Sequence, residues 1–201
     1  CGRAATVWEW CRLVHLDLRG RAPTVYDVQA YLCDRSRRRQ LHLVNRLLSE
    51  EYQEQYARHW TAVWTNTLIG RTGGTTDDSL ASRAGMQQYL GESFQSNKPY
   101  DQMVRELITA TGSCRPGDVD FNGAANFLAD KLDDRGIQAT AKTAQVFLGM
   151  AVQCTQCHDH PFNEHRQNQF WELNAFYRQT GVERVGDADM DRSFARIVDR
   201  D

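Results

Sequence analysis

The 201-residue sequence predicts an all-α fold, a single multi-helix domain over residues 1–201 with long loops and an irregular C-terminal tail. Three observations point there. Apolar residues recur at intervals of three and four in one segment after another, the period of a helix buried along one face. Start and stop signals bracket these segments. No alternating run of useful length, the mark of a half-buried strand, interrupts them.

The first helix carries Val7, Trp8, Cys11, Val14 and Leu18 as a stripe running to Gly20. Pro23-Thr24 opens a short second helix through Val25, Val28 and Leu32. Ser36 is placed to cap a third, with Leu43, Val44, Leu47 and Leu48 on one face. Ser49 followed by Glu50 and Glu51 starts a fourth, its acids suited to the positive end of the helix dipole. That helix has the cleanest face: Tyr52, Tyr56, His59, Trp60, Val63, Trp64, Thr67 and Leu68, ended by Gly70. Residues 71–78 read as a loop and residues 79–95 as a weaker helix. Pro99, tolerated at a first helical position, precedes Met103, Val104, Leu107 and Ile108. Residues 112–122 form a second long loop. Helices follow at 126–132, at 138–152 running straight into a cysteine pair, and at 163–178. Residues 182–201 are polar and read as a short strand or an extended tail.

Twenty-four basic against 26 acidic side chains give a net charge of -2, which supplies no field for nucleic acid or an anionic membrane. The arginines at 35, 37, 38 and 39 and the aspartates at 187, 189, 191, 199 and 201 read as solvated runs. No apolar run approaches the roughly 20 residues that cross a bilayer, and there is no signal peptide. Cys1-Gly2 is how a processed bacterial lipoprotein begins. Cys11 lies within a helical stripe and suits a small core position. Cys33 and Cys114 fall at a helix end and in a loop, where a disulfide between them is expected.

Residues 154–158 read Cys-Thr-Gln-Cys-His. Covalent attachment of a c-type haem needs two thiols that reach the two vinyl groups of one porphyrin, and an imidazole aimed at the iron. A spacing of three sets the thiols on one turn, and the following His arrives from the same side. Cys154 and Cys157 are thus the attachment residues and His158 the proximal iron ligand, for one covalent haem c. Three other readings compete for such a pair, one of them a plain Cys154–Cys157 disulfide, which leaves the adjacent His unexplained. A zinc site needs two further ligands, which only His160 and His165 could supply within 12 residues. A thioredoxin-like pair wants a βαβ setting, and no strands are expected here.

His59, flanked by Tyr56 and Trp60, suits one wall of an apolar haem pocket and is the candidate distal iron ligand. A lone His on an apolar face is more often a satisfied core residue. His160 stands too close in sequence to the proximal ligand to reach the opposite porphyrin face. His165, Met86, Met103 and Met150 are further candidates, the methionines more often core filling.

Several stretches together resemble a bacterial domain family of planctomycete-type "cytochrome C" proteins, a haem-motif domain of unknown function. They are Leu13 to Thr24 (LVHLDLRGRAPT), Leu43 to Leu48, Tyr56-Ala57-Arg58-His59-Trp60, Lys98 to Asp101, and Asn126-Phe127-Leu128. The last and strongest runs from Val146-Phe147-Leu148-Gly149 to the Cys-Thr-Gln-Cys-His-Asp-His-Pro-Phe of residues 154–162. The resemblance implies an exported bacterial protein, periplasmic or at the cell surface. It also implies an Arg-His-Trp element, which falls on Arg58, His59 and Trp60 and favours His59 as a site residue.

The expected function is electron transfer through a single haem c. The partner would be a redox protein, a neighbouring cytochrome, or another copy of the chain in a self-assembled array. A peroxidase-like haem enzyme with an open distal site is the alternative of another class, and a zinc-stabilised interaction module is a third.

Overall fold

The computed structural model describes residues 5–132, 135–187 and 192–200, apart from the side chains of Asp187 and Arg192. Cys1, where a processed lipoprotein would carry its lipid, and the tail acids Asp189, Asp191 and Asp201 lie outside the described residues.

Helix α1 (Val7–Arg19) starts where the Thr6 hydroxyl accepts from the Glu9 N–H and the Glu9 carboxylate accepts from the Thr6 N–H. This reciprocal pair satisfies two of the donors that a helix start leaves open. Gly20, at φ 66°, ends the helix in the left-handed region. Thr24 and Asp27 repeat the device for α2 (Val25–Cys33). The next helix, α3 (Arg39–Leu47), begins three residues beyond Ser36, whose hydroxyl accepts from the Arg38 N–H just ahead of it. These helices enclose Cys11, Tyr31, Leu43 and Leu47, so Cys11 is the small core residue expected.

After a 3-10 turn at Glu50–Tyr52 comes the long α4 (Gln53–Ile69), packed along α5 (Arg83–Gln95). Helix α5 starts later than residue 79, because the Ser82 hydroxyl caps it by accepting from the Gly85 N–H. With α6 (Tyr100–Ile108) and α7 (Ala125–Lys131) these helices form the main core. Leu68, Leu90, Leu107 and Phe127 are fully enclosed there, each such side chain contributing about 1.5–3 kcal/mol by leaving water. Met86 and Met103 are buried in the same cluster as packing residues. Asn126, also fully buried, accepts from the Ser82 N–H at 2.5 Å and donates to the carbonyls of Gly123 (3.0 Å) and Cys114 (3.4 Å).

The fold is mostly helical but not all-α. The tail expected to be irregular forms two strands, β2 (Thr180–Asp187) and β3 (Arg192–Asp199), paired antiparallel with Val182 opposite Ile197. A short β1 (Gly112–Ser113), inside the expected second loop, pairs with β3 from the other side in the order β1-β3-β2. Ala195 and Ile197 of β3 are buried in the main core, so the hairpin is held by packing as well as by its ladder.

The expected Cys33–Cys114 disulfide is also corrected. Both thiols are free. Cys114 is fully buried in the main core, where burial pushes its thiol up to about 12, and its N–H donates to the Ala195 carbonyl. Cys33 is exposed at the end of α2.

Helix α8 (Ile137–Phe147) stops short of Val152, because Gly149 turns the chain at φ 67°. Residues 153–156 then make a 3-10 turn, and α9 (Gln167–Tyr177) packs against both α8 and that turn. Ala141, Ala144, Val152 and Phe170 form the small cluster beneath. Among the described residues no helix is long and apolar enough to cross a membrane.

Candidate functional site

The Cys-x-x-Cys-His motif sits on the 3-10 turn and the residue after it, not on a continuing helix. Its backbone is held from two sides. Thr155, buried, donates from its N–H and its hydroxyl to the Val152 carbonyl. Helix α9 grips the outside: Trp171 Nε1 and Gln167 Nε2 both donate to the Gln156 carbonyl, at 3.2 and 3.0 Å. The Asp159 carboxylate accepts from the Gln167 N–H at 2.8 Å, tying the end of the motif to the first turn of α9.

On this braced turn the reactive groups face outward. Cys154 and Cys157 are free, exposed thiols. The exposed His158 ring has its Nδ1 2.7 Å from the Asp159 carbonyl. A carbonyl only accepts, so this bond puts the proton on Nδ1 and leaves the Nε2 lone pair for a ligand. His160 has the opposite arrangement. Its Nδ1 accepts from the Phe162 N–H at 3.1 Å, so its lone pair is already used. The local chemistry therefore favours His158 over His160 as a metal ligand. Phe162, four residues after His158, stands uncovered, 92% exposed.

A cavity of about 410 Å³ opens beside Cys154. One wall is a single face of α8, made by Gln138, Ala141, Lys142 and Gln145. The facing wall is residues 151–154, and Lys131 and His160 complete the lining. Lys131 pairs with Asp130 at 2.7 Å. Burial, and then the charge of Lys131, hold Lys142 below the usual lysine range. The sequence offered no signal for these two lysines, because α7 and α8 bring them to the motif only in the fold.

His59 lies elsewhere on α4. Its ring packs edge-on to Trp60, with centroids 5.5 Å apart, and against Gly20 at the end of α1. A Cβ at position 20 would stand 2.3 Å from His59 Nδ1. Gly20 thus serves twice, as a left-handed helix end and as a seat for this imidazole. The structure ties the Arg-His-Trp element to the first sequence stretch, and the lining of the cavity at Cys154 includes His160 rather than His59. Met150 is half-buried against the small cluster that carries the turn, and His165 is half-buried beside His160, ring centroids 6.3 Å apart. Among the described residues no group of three or more His, Cys, Asp or Glu converges where a metal ion could be held by side chains alone, so the four donors of a zinc site are not gathered.

Residues 2–182 match the PSCyt2 family, described as a protein of unknown function (DUF1549), and the chain belongs to that family. No curated protein and no solved structure matches it.

Proposed function

We propose that this member of the PSCyt2 family carries one haem c on Cys154 and Cys157, with His158 as a ligand to its iron, and serves in electron transfer. The observation that carries the reading is the outward presentation of both thiols and the His158 Nε2 lone pair on one turn. Each thiol would add across one vinyl group, sulfur to the carbon next to the ring and hydrogen to the terminal carbon, so that nothing leaves. Bound there, the haem would supply one-electron redox chemistry.

The remaining work falls to the chain's own residues. Trp171, Gln167 and Asp159 keep the turn rigid, so that the thiols and the imidazole hold their mutual positions. The Asp159 carbonyl fixes the His158 tautomer and strengthens Nε2 as a donor to iron. The exposed Phe162 ring offers a surface that a flat apolar group can cover. Covering Phe162 alone would stabilise the holoprotein by about 1.5–3 kcal/mol. This reading entails an exported protein in a compartment where haem c is attached, with a redox protein or a neighbouring cytochrome as partner.

The test is acid-acetone extraction of protein made in an export-competent host with haem-maturation machinery. The wild type keeps its colour, because thioether bonds survive and axial bonds do not. Cys154→Ala/Cys157→Ala loses it. A double variant that stays coloured would refute the assignment. The distal ligand is tested by the ferric visible spectrum. If His59 supplies it, His59→Ala turns a low-spin protein high-spin. The seat of His59 on Gly20 predicts instead that the spin state stays unchanged while stability falls.

A further inference from the structure

A second cavity, of about 380 Å³, lies between the start of α8, the end of α9 and the outer strand β2. Thr180, Val182 and Arg184 alternate along β2 and all line it, so one face of the strand forms a wall. Arg178, just past the end of α9, brings a second guanidinium group to the same space, and Arg135 is a further lining residue. Arg200, just past β3, also lines it, but its stem lies over Gly181 on the opposite face of β2, where an added Cβ would stand 2.7 Å from Nε. The floor is apolar, with Leu132 and Tyr177, and the Tyr177 hydroxyl is occupied by Thr143 at 2.6 Å.

No aspartate or glutamate is among the described residues of this lining. The only other guanidinium group on the hairpin with described side-chain partners, that of Arg196, is fully engaged by Asp120 at 2.9 and 3.1 Å. Arg178, Arg184 and Arg200 have no such carboxylate among the described residues. In a chain of net charge -2, this concave patch gathers positive charge of one sign. A cleft lined that way focuses its field and concentrates anions. Guanidinium groups are planar forks that match the oxygens of phosphate in pairs. The volume falls in the range of small-ligand sites.

We infer that this cavity binds a small phosphate-bearing anion with two or more negative charges. The Arg178 and Arg184 guanidinium groups hold its oxygens and the Thr180 hydroxyl is a further donor. The inference stands apart from the haem reading, since it uses none of residues 154–158.

The probe is pyrophosphate, followed by thermal unfolding and calorimetry of the full chain, with chloride controls matched in ionic strength. The wild type is expected to show a saturable rise in Tm, because a ligand that binds only the folded state stabilises it. Arg178→Gln/Arg184→Gln should weaken binding roughly tenfold or more, from the lost charge-assisted hydrogen bonds. Without pyrophosphate the same variant should unfold no lower than the wild type, because it relieves like-charge repulsion. Arg105→Gln on α6 should bind as the wild type does. A wild type without a saturable response beyond chloride, or equal affinity in the wild type and the double variant, would overturn the site.

Discussion

Helices α4–α7 and the turn at residues 153–158 both contain buried anchors, but their side chains end in different places. In the helical layer they end on one another: Leu68, Leu90 and Leu107 are fully enclosed, and Asn126 reaches three backbone partners without meeting water. In the turn only the backbone and Thr155 are secured, while both thiols, the His158 imidazole and Phe162 face outward. A side chain exposed at the end of a mobile loop needs no explanation. Reactive groups exposed on a turn held by Trp171, Gln167 and Asp159 do, because that bracing keeps them in one arrangement. The helical layer is complete in itself, and on the reading proposed above the turn is where the haem would be attached.

The largest effect that could break this contrast is on stability. Leu107→Ala, which opens a cavity in the main core, should cost about 2–5 kcal/mol in urea unfolding of the apoprotein. Cys154→Ser/Cys157→Ser should stay within about 0.5 kcal/mol, as exposed positions do. Comparable losses in the two would mean that the cysteines are structural.

A smaller effect sharpens the contrast with the α1–α3 cluster, where buried groups titrate. His15 is fully enclosed and donates from Nδ1 to the Cys11 carbonyl at 2.9 Å. Burial lowers its pKa in spite of that bond. The unfolded chain therefore takes up a proton near pH 6.5, and the folded chain only at lower pH. The stability contributed by neutral His15 is complete above that value and is lost as the pH falls through the folded pKa. Urea midpoints should accordingly fall between pH 7.5 and 5.5, and His15→Gln should flatten that segment.

Much of this architecture was legible. The stripes of α1 and α4 gave their own boundaries through Gly20 and Gly70, and the spacing within residues 154–158 marked the candidate site. The hairpin was not legible, because β2 and β3 place few apolar residues in alternation and draw their stability from Ala195 and Ile197 meeting a core built from distant helices. Gly149 was a visible stop signal, yet the apolar face of α8 suggested a longer helix. The supports of the turn were hidden for a different reason. The bonds from Trp171 and Gln167 run to a backbone carbonyl, and no residue type at position 156 announces them. The arginine cavity joins residues from position 80 to position 200, a grouping that only the fold creates.

Peptide mass spectrometry of protein exported and matured in a host that attaches haem c tests the central claim most directly. The account predicts that the peptide spanning residues 154–158 carries the mass of one haem, with a thioether at Cys154 and another at Cys157 and no free thiol at either. Two free thiols there, or a Cys154–Cys157 disulfide, while a known c-type cytochrome in the same cells is fully loaded, would contradict it.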